Sequence, residues 1–288
     1  MLQELNFGRL ENEFYNIKAT ENDLVICMRN NQILVKRTEE SKVLFPTVSE
    51  VKCWEHRSDW KPWGETNFQY IFRVRGINYF LWMGIAGNPF NELYCYEEIK
   101  ELRALDTKEA CFAAFTAMHL YDWYKNNRFC GGCQTPTIHD DKERMLRCPE
   151  CGNLIFPKIS PAVIVAITNG EKLLLSKYAG RKYARYALIA GYTEIGETIE
   201  ETVQREVLEE VGLHVKNIRY YKSQPWGQSG TVLMGFYCDL DGSDEVHLDE
   251  AELALAEWHE RGAIPAHDDG ISLTREMIRV FGEGREPR

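Results

Sequence analysis

No uninterrupted run of apolar side chains in these 288 residues is longer than six, and residues 162–167 form one such run. A membrane-spanning helix needs about 20, so a helical membrane protein is excluded. Residues 1–14 carry polar and acidic side chains where a secretory signal needs an apolar centre, and the chain is expected in the cytoplasm, with no membrane partner. Positive charge is in deficit: 34 Lys and Arg stand against 44 Asp and Glu, a net of −10. Tight sequence-independent binding to a phosphate backbone is therefore not expected. Internal repeats and low-complexity tracts are also missing, which removes solenoids and disordered tails.

What remains is ordinary globular material, 44% apolar and 27% charged, and long enough for two or three compact units. The acids are concentrated in residues 129–288, whose net charge is −8, and this raises the question of whether some of them hold cations. Cysteines number nine. Five of them (Cys27, Cys53, Cys95, Cys111, Cys238) are scattered and read as small buried hydrophobes in a reducing compartment.

The chain divides into three parts. Residues 1–127 show strand-like runs at 24–28, 33–37 and 68–84, the last folded at Arg75-Gly76, and close on a helical stretch at 108–126. This part reads as a mixed α+β scaffold or dimerisation domain. Residues 128–157 carry the other four cysteines. Residues 158–288 alternate α and β: strands at 162–168, 172–177, 187–190, 215–222 and 231–240, helices at 198–211 and 271–281, and at 253–259 an element that is either strand or helix.

Cys130-Gly-Gly-Cys133 and Cys148-Pro-Glu-Cys151 are paired C-x-x-C turns. Two residues between thiolates let one tight turn present both sulfurs to a single ion, and two such turns complete a tetrahedral cage for Zn²⁺. Four thiolates leave no open position, so this zinc is structural. The glycines following Cys130 and Cys151 are expected to let the turns close. A pair of redox dithiols is the alternative, and no thioredoxin-like pattern accompanies it. Lys142, Arg144 and Arg147 on the intervening loop either touch a nucleic acid or, interleaved with Asp140, Asp141 and Glu143, form a solvated face.

On a helix over 198–211, Glu206, Glu209 and Glu210 share an arc of about 100°, beside an apolar stripe of Ile199, Val203, Val207 and Val211. Like charges so close repel, and clustered hard oxygen ligands suit Mg²⁺ or Mn²⁺. Glu200 and Glu201 fall off this arc and read as surface residues. Gly191, Glu197, Arg205, Glu206, Val207, Glu209, Glu210, Gly212 and Leu213 together resemble the Nudix signature, G-x5-E-x7-R-E-U-x-E-E-x-G-U with U aliphatic. The resemblance implies an α/β Nudix α/β/α sandwich at 158–288 and hydrolysis of a nucleoside diphosphate derivative. It makes Glu206, Glu209 and Glu210 metal ligands, and Glu210 the residue that orients or deprotonates water. Arg205 is expected to pair with a box carboxylate such as Glu197. Gly191 and Gly212 are expected to turn the backbone.

A scaffold, a four-cysteine ribbon and then this box resemble the NADH pyrophosphatase (NAD⁺ diphosphatase) family. That likeness implies a homodimer that cleaves NAD(H) to NMN(H) and AMP, with NAD-capped RNA as a second substrate. It adds Glu252 as a further metal ligand, and Glu143, Phe156 and Ala190 as substrate contacts. A surface carboxylate is the competing reading of Glu143 and of Glu252, and a core aromatic that of Phe156. The family marker S-Q-P-W-P-F-P-x-S begins here as Ser223-Gln224-Pro225-Trp226 and then departs as Gly227-Gln228-Ser229-Gly230-Thr231. Gln224, Pro225, Trp226 and Thr231 are the expected substrate-binding positions, followed by a loop that its glycines should loosen. Competing readings are a Nudix hydrolase for ADP-ribose or another nucleoside diphosphate derivative, and a non-catalytic nucleotide-binding regulator.

Overall fold

A computed structural model describes residues 1–5, 9–39, 42–54, 67–84, 93–104, 108–180, 185–264 and 270–287. They form two compact units, one of residues 2–158 with 227–229, the other of residue 1 with 159–226 and 230–288.

The first unit holds a six-stranded sheet. Strands β1 (Leu24–Arg29) and β2 (Gln32–Arg37) pair antiparallel; β3 (Val43–Leu44) pairs with β2, and helix α1 (Val48–Trp54) follows. Strands β4 (Phe68–Val74) and β5 (Ile77–Trp82) form the expected hairpin, and β5 lies parallel to β1. Arg75 and Gly76 both have positive φ, 50° and 78°, the backbone whose twist suits a two-residue hairpin turn. Strand β6 (Cys95–Glu98) pairs with β2, and helix α2 (Lys108–Asn126) buries Ala110, Ala113, Ala114 and Ala117. Two scattered cysteines depart from the expected burial: Cys53 and Cys95 are exposed. Cys53 sits near the end of a single short helix and Cys95 starts a four-residue strand, positions too peripheral to be covered. The cysteine-bearing insert adds three short antiparallel strands, β7 (Ile138–His139), β8 (Leu146–Arg147) and β9 (Leu154–Ile155).

The second unit is built on β10 (Ser160–Asn169), the strand that contains the apolar run 162–167. Val163, Val165 and Ile167 pack with Val203, Val207 and Val211 of helix α3 (Ile199–Val211). Ile164 and Ala166 pack instead with helix α4 (Leu273–Gly282), against Leu273, Met277, Ile278 and Phe281. A strand covered by helices on both faces has no polar face to alternate, which explains the unbroken run. The three α3 valines have no solvent exposure, each contributing about 1.5–3 kcal/mol of burial. This is the expected α/β/α layering.

In the sheet, β11 (Lys172–Tyr178), β12 (Ile189–Tyr192), β13 (Val215–Trp226), β14 (Thr231–Leu240) and β15 (Leu253–Glu260) run in the order β13-β14-β10-β11-β15, with β12 on β10. The element at 253–259 is thus a strand. One edge of β10 pairs in parallel with β14 along nearly its whole length. Its other edge forks: β12 takes residues 162–165, and β11 meets it only at Thr168 and Asn169. Among the described residues no helix is long and apolar enough to cross a membrane.

Candidate active site and zinc centre

The four cysteine sulfurs lie within 4.8 Å of one another, with Cys133 Sγ 3.4 Å from Cys148 Sγ and Cys130 Sγ 3.6 Å from Cys151 Sγ. The two turns have the same construction. The amide of Gln134 donates to Cys130 O and that of Gly152 to Cys148 O, while the Gly132 and Cys151 amides point at Cys130 Sγ and Cys148 Sγ. The left-handed residues are Gln134 (φ 65°) and Gly152 (φ 74°). The expectation for Gly131 was therefore misplaced: in the first turn the strained position is one after the second cysteine, and a glutamine fills it. Amides of Cys133 and Gly132 hold the Cys130 thiol down at about 6, while the three other sulfurs push Cys151 up to about 12; a shared cation would let all four be thiolates. On the loop between the turns, Arg144 donates to the carbonyls of Ile71 and Asn12, and Arg147 pairs with Asp140 at 3.2 Å. Both guanidiniums are already engaged, which favours the bland reading of that loop.

Helix α3 carries the second cluster. Thr198 and Glu201 form a reciprocal capping box at its start, and Gly212, at φ 70°, closes it by donating to Leu208 O. Glu201, read above as a plain surface residue, therefore has a local structural task, which the T-x-x-E spacing could have signalled. The last turn holds Glu209 and Glu210 and no base, so two carboxylates sit where the helix dipole is unfavourable to them. A cation there would relieve both the dipole and their mutual repulsion.

Arg205 binds one oxygen of Glu197 at 2.5 Å and the other at 3.0 Å, and also reaches Glu206, Glu209 and Tyr192 O at 2.8–2.9 Å. Its guanidinium pulls Glu197 down to about 2. The arginine thus organises the carboxylates and is itself saturated with partners. Gly191 has no positive φ. It lies in β12 with the Glu206 carboxyl group pressed against it, where any Cβ would overlap that group. The backbone-turn reading holds for Gly212 and fails for Gly191, whose task is close approach.

The three box glutamates differ in setting. Glu209 is 59% exposed, Glu206 is 12% exposed, and Glu210 is 2% exposed with neither oxygen hydrogen-bonded among the described residues. Burial pushes the Glu206 carboxyl up against the pull of Arg205. Burial, then the charges of Glu206 and Glu252, raise Glu210 from 4.5 to about 8; Asp249 adds to this, and the nearby Ala190 amide opposes it without completing a bond. Glu252, on the turn leading into β15, lies near enough for its charge to raise both buried box carboxyls. Asp249, on the same turn, was missed, because nothing in its sequence spacing ties it to the box. Among the described residues no three of these carboxylates bring their oxygens within the 4.8 Å that unites the four cysteine sulfurs; their donor chemistry suits Mg²⁺ or Mn²⁺, and a bound cation would have to draw them together.

This predicts a pH effect on stability. Folded Glu210 keeps a proton that the unfolded chain releases near 4.5, so its contribution is complete at low pH and is lost as pH rises through about 8. A divalent cation can replace that proton. The rise in Tm caused by saturating Mg²⁺ should therefore be small at pH 6 and clearly larger at pH 8.5 in thermal scans; equal increments would contradict the assignment.

The remaining expected contacts are placed as follows. Ala190 precedes Gly191 in β12, half-buried beside Glu210. Gln224 is fully buried: its amide donates to Ile271 O at 2.7 Å and accepts from the Leu273 amide at 2.8 Å. That side chain locks β13 to the start of α4 and leaves no face for a ligand, while β13 continues four residues past its expected end because Ser223 to Trp226 keep pairing with β14. Thr231 is also buried, opposite half-buried Trp226 at the hairpin end, while Pro225 is exposed. Residues 227–230 form a turn in which Gly227 packs its backbone on Phe115 O, with no room for a Cβ; this glycine tightens the turn it was expected to loosen. In the first unit, Glu143 is exposed and Phe156 is 54% exposed, which removes the core reading of Phe156.

Residues 158–281 match the NUDIX domain, and residues 125–156 match the NADH pyrophosphatase zinc ribbon domain. The chain is 38% identical over 167 residues to the NAD-capped RNA hydrolase NudC of Chromobacterium violaceum, covering 58% of this chain and 63% of that protein. It is 35% identical over 203 residues to the protein of the same name from Pasteurella multocida, covering 67% and 75%. A NUDIX hydrolase crystal structure from Nitrosomonas europaea is 25% identical with a TM-score of 0.46, covering 54% of this chain and 91% of that one.

Proposed function

We propose that this chain, which belongs to the NADH pyrophosphatase family of Nudix hydrolases, cleaves the diphosphate of NAD(H) to NMN(H) and AMP. The observation that carries the reading is Glu210 of the box helix, buried, without a hydrogen-bond partner among the described residues, and raised to about 8 by burial and its acidic neighbours. Glu206, Glu209, Glu210 and Glu252 would hold Mg²⁺ or Mn²⁺, which would supply charge neutralisation of the diphosphate and a lowered pKa for water. Glu210 is the residue that orients the attacking water and accepts its proton. Arg205 keeps Glu197, Glu206 and Glu209 in place. Hydrolysis then adds hydroxyl to one phosphorus and a proton to the released phosphate.

In this reading residues 158–288 are the hydrolase domain, residues 128–157 hold structural zinc, and residues 1–127 are a scaffold in a cytoplasmic homodimer. Ala190 and Trp226 contact substrate. NAD-capped RNA is a second substrate by likeness to relatives that carry that name, although the first of them is matched over only 63% of its length. ADP-ribose is the competing substrate, favoured by the turn at 227–230, which has no aromatic side chain.

Incubation with NAD⁺ and Mn²⁺ should yield NMN and AMP by mass spectrometry. Nicotinamide with ADP-ribose would overturn the reading, and an absence of any product across a nucleotide panel would restore the non-catalytic one.

A further inference from the structure

The fork in the sheet has a side-chain clamp that the box does not include. Strand β12, which presents Ala190 and Gly191 to the acidic cluster, enters as a wedge between β10 and β11. Its backbone ties to β11 are made just upstream of the strand, where Ser176 and Ala187 exchange both amide bonds at 2.8–2.9 Å. One residue earlier, Tyr186 donates its phenol to Glu257 Oε1 of β15 at 2.5 Å. His259 Nε2, also on β15, lies 3.0 Å from the same oxygen, and its ring stands edge-on to Tyr186 at 4.8 Å. The Lys177 ammonium of β11 lies 4.2 Å from the Tyr186 ring centre. The tyrosine is therefore held from two strands at the mouth of the fork, five residues before the glycine on which Glu206 rests.

We propose that Tyr186 and Glu257 are positioning residues for the metal-binding carboxylates: their bond sets how β12 seats in the fork, and so where Gly191 and Ala190 meet Glu206 and Glu210. The physical ground is the close fit at Gly191, which leaves no room for even one carbon atom between strand and carboxylate. A small tilt of β12 is thus passed directly to Glu206. Short strand pairing over four residues, 162–165 with 189–192, does not by itself fix that tilt, because among the described residues β10 and β11 pair only at Thr168 and Asn169 and β11 meets this segment only at Ala187. The inference rests on the proposed function, since it takes Glu206 and Glu210 as ligands of a divalent cation.

The test is Mn²⁺ affinity of the full-length, zinc-loaded protein, read from free Mn²⁺ by electron paramagnetic resonance, with Tm measured alongside. Loss of a direct outer-shell partner of a metal ligand weakens binding by about 10- to 100-fold. Tyr186 acts one step further out, so Tyr186→Phe and Glu257→Leu should each weaken Mn²⁺ binding about fivefold, with Tm close to wild type. Glu257→Gln keeps a carbonyl that accepts from the phenol, and should stay within about twofold of wild type. The double variant Tyr186→Phe/Glu257→Leu should be no weaker than either single one, because both break the same bond. Wild-type affinity in Tyr186→Phe, or losses that multiply in the double variant, would overturn the proposal while leaving the hydrolase reading intact. A wild-type protein that binds no Mn²⁺ would overturn both.

Discussion

Glu210→Gln is expected to lower turnover by at least about 10² while leaving the fold intact. The substitution keeps shape and volume but removes both a ligand charge and the group that accepts a proton from water. The folded state should not suffer. Glu210 is 2% exposed with both oxygens unbonded among the described residues and must take up a proton on folding at neutral pH, a cost that an uncharged amide does not carry. Without divalent metal the variant should therefore melt at or above the wild-type temperature, and the stabilisation by Mg²⁺ should shrink. That pairing separates a functional loss from a folding defect. Near-wild-type turnover in a well-folded Glu210→Gln protein would contradict the role given to this residue.

The second large effect concerns the zinc ribbon. Cys148 is 1% exposed, and its sulfur lies 3.4 Å from that of Cys133. The strands β7, β8 and β9 have two residues each, too few to make a core. Metal binding must supply most of the order here, and structural zinc contributes on the order of 10 kcal/mol to folding of isolated fingers. Cys148→Ser should lose stoichiometric zinc and several kcal/mol of stability. Elemental analysis and thermal melts read this directly. A wild-type protein with neither zinc nor iron, or a Cys148→Ser protein with full zinc and an unchanged Tm, would rule out the cage.

These two clusters were legible in the sequence because their chemistry depends on short spacing. A C-x-x-C pair or an E-x-x-E-E run on one helix stays together in any fold that forms the local element. Helix α3, strand β14 and the hairpin at Arg75-Gly76 were legible for the same reason: periodicity and turn residues act within a few positions. Long-range arrangements were not. Asp249 lies 39 residues beyond Glu210, and its amide, bonded to the Glu210 carbonyl at the end of α3, keeps it close enough to raise that carboxyl. Gln224 was expected to meet substrate, but it is committed to the Ile271 carbonyl and the Leu273 amide. A motif match assigns a position, whereas burial and hydrogen bonding depend on elements far away in the chain. Glycines were misread for a related reason. A glycine serves either a positive φ, as at Gly212, or a close approach, as at Gly191 and Gly227, and the letter alone does not distinguish these.

The departure from the family marker after Trp226 bears directly on substrate choice. Trp226 keeps a rigid aromatic surface, but the four residues after it form a turn with no aromatic side chain. Discrimination between NAD(H) and ADP-ribose is expected to be weaker than in typical members, with NADH still ahead. The decisive measurement is kcat/KM for NADH, NAD⁺ and ADP-ribose at one fixed Mn²⁺ concentration. The expected result is cleavage of NADH at the diphosphate with the highest value of the three. A preference for ADP-ribose of more than about tenfold, equivalent to about 1.4 kcal/mol in transition-state stabilisation, would contradict the assignment of NAD(H) as substrate.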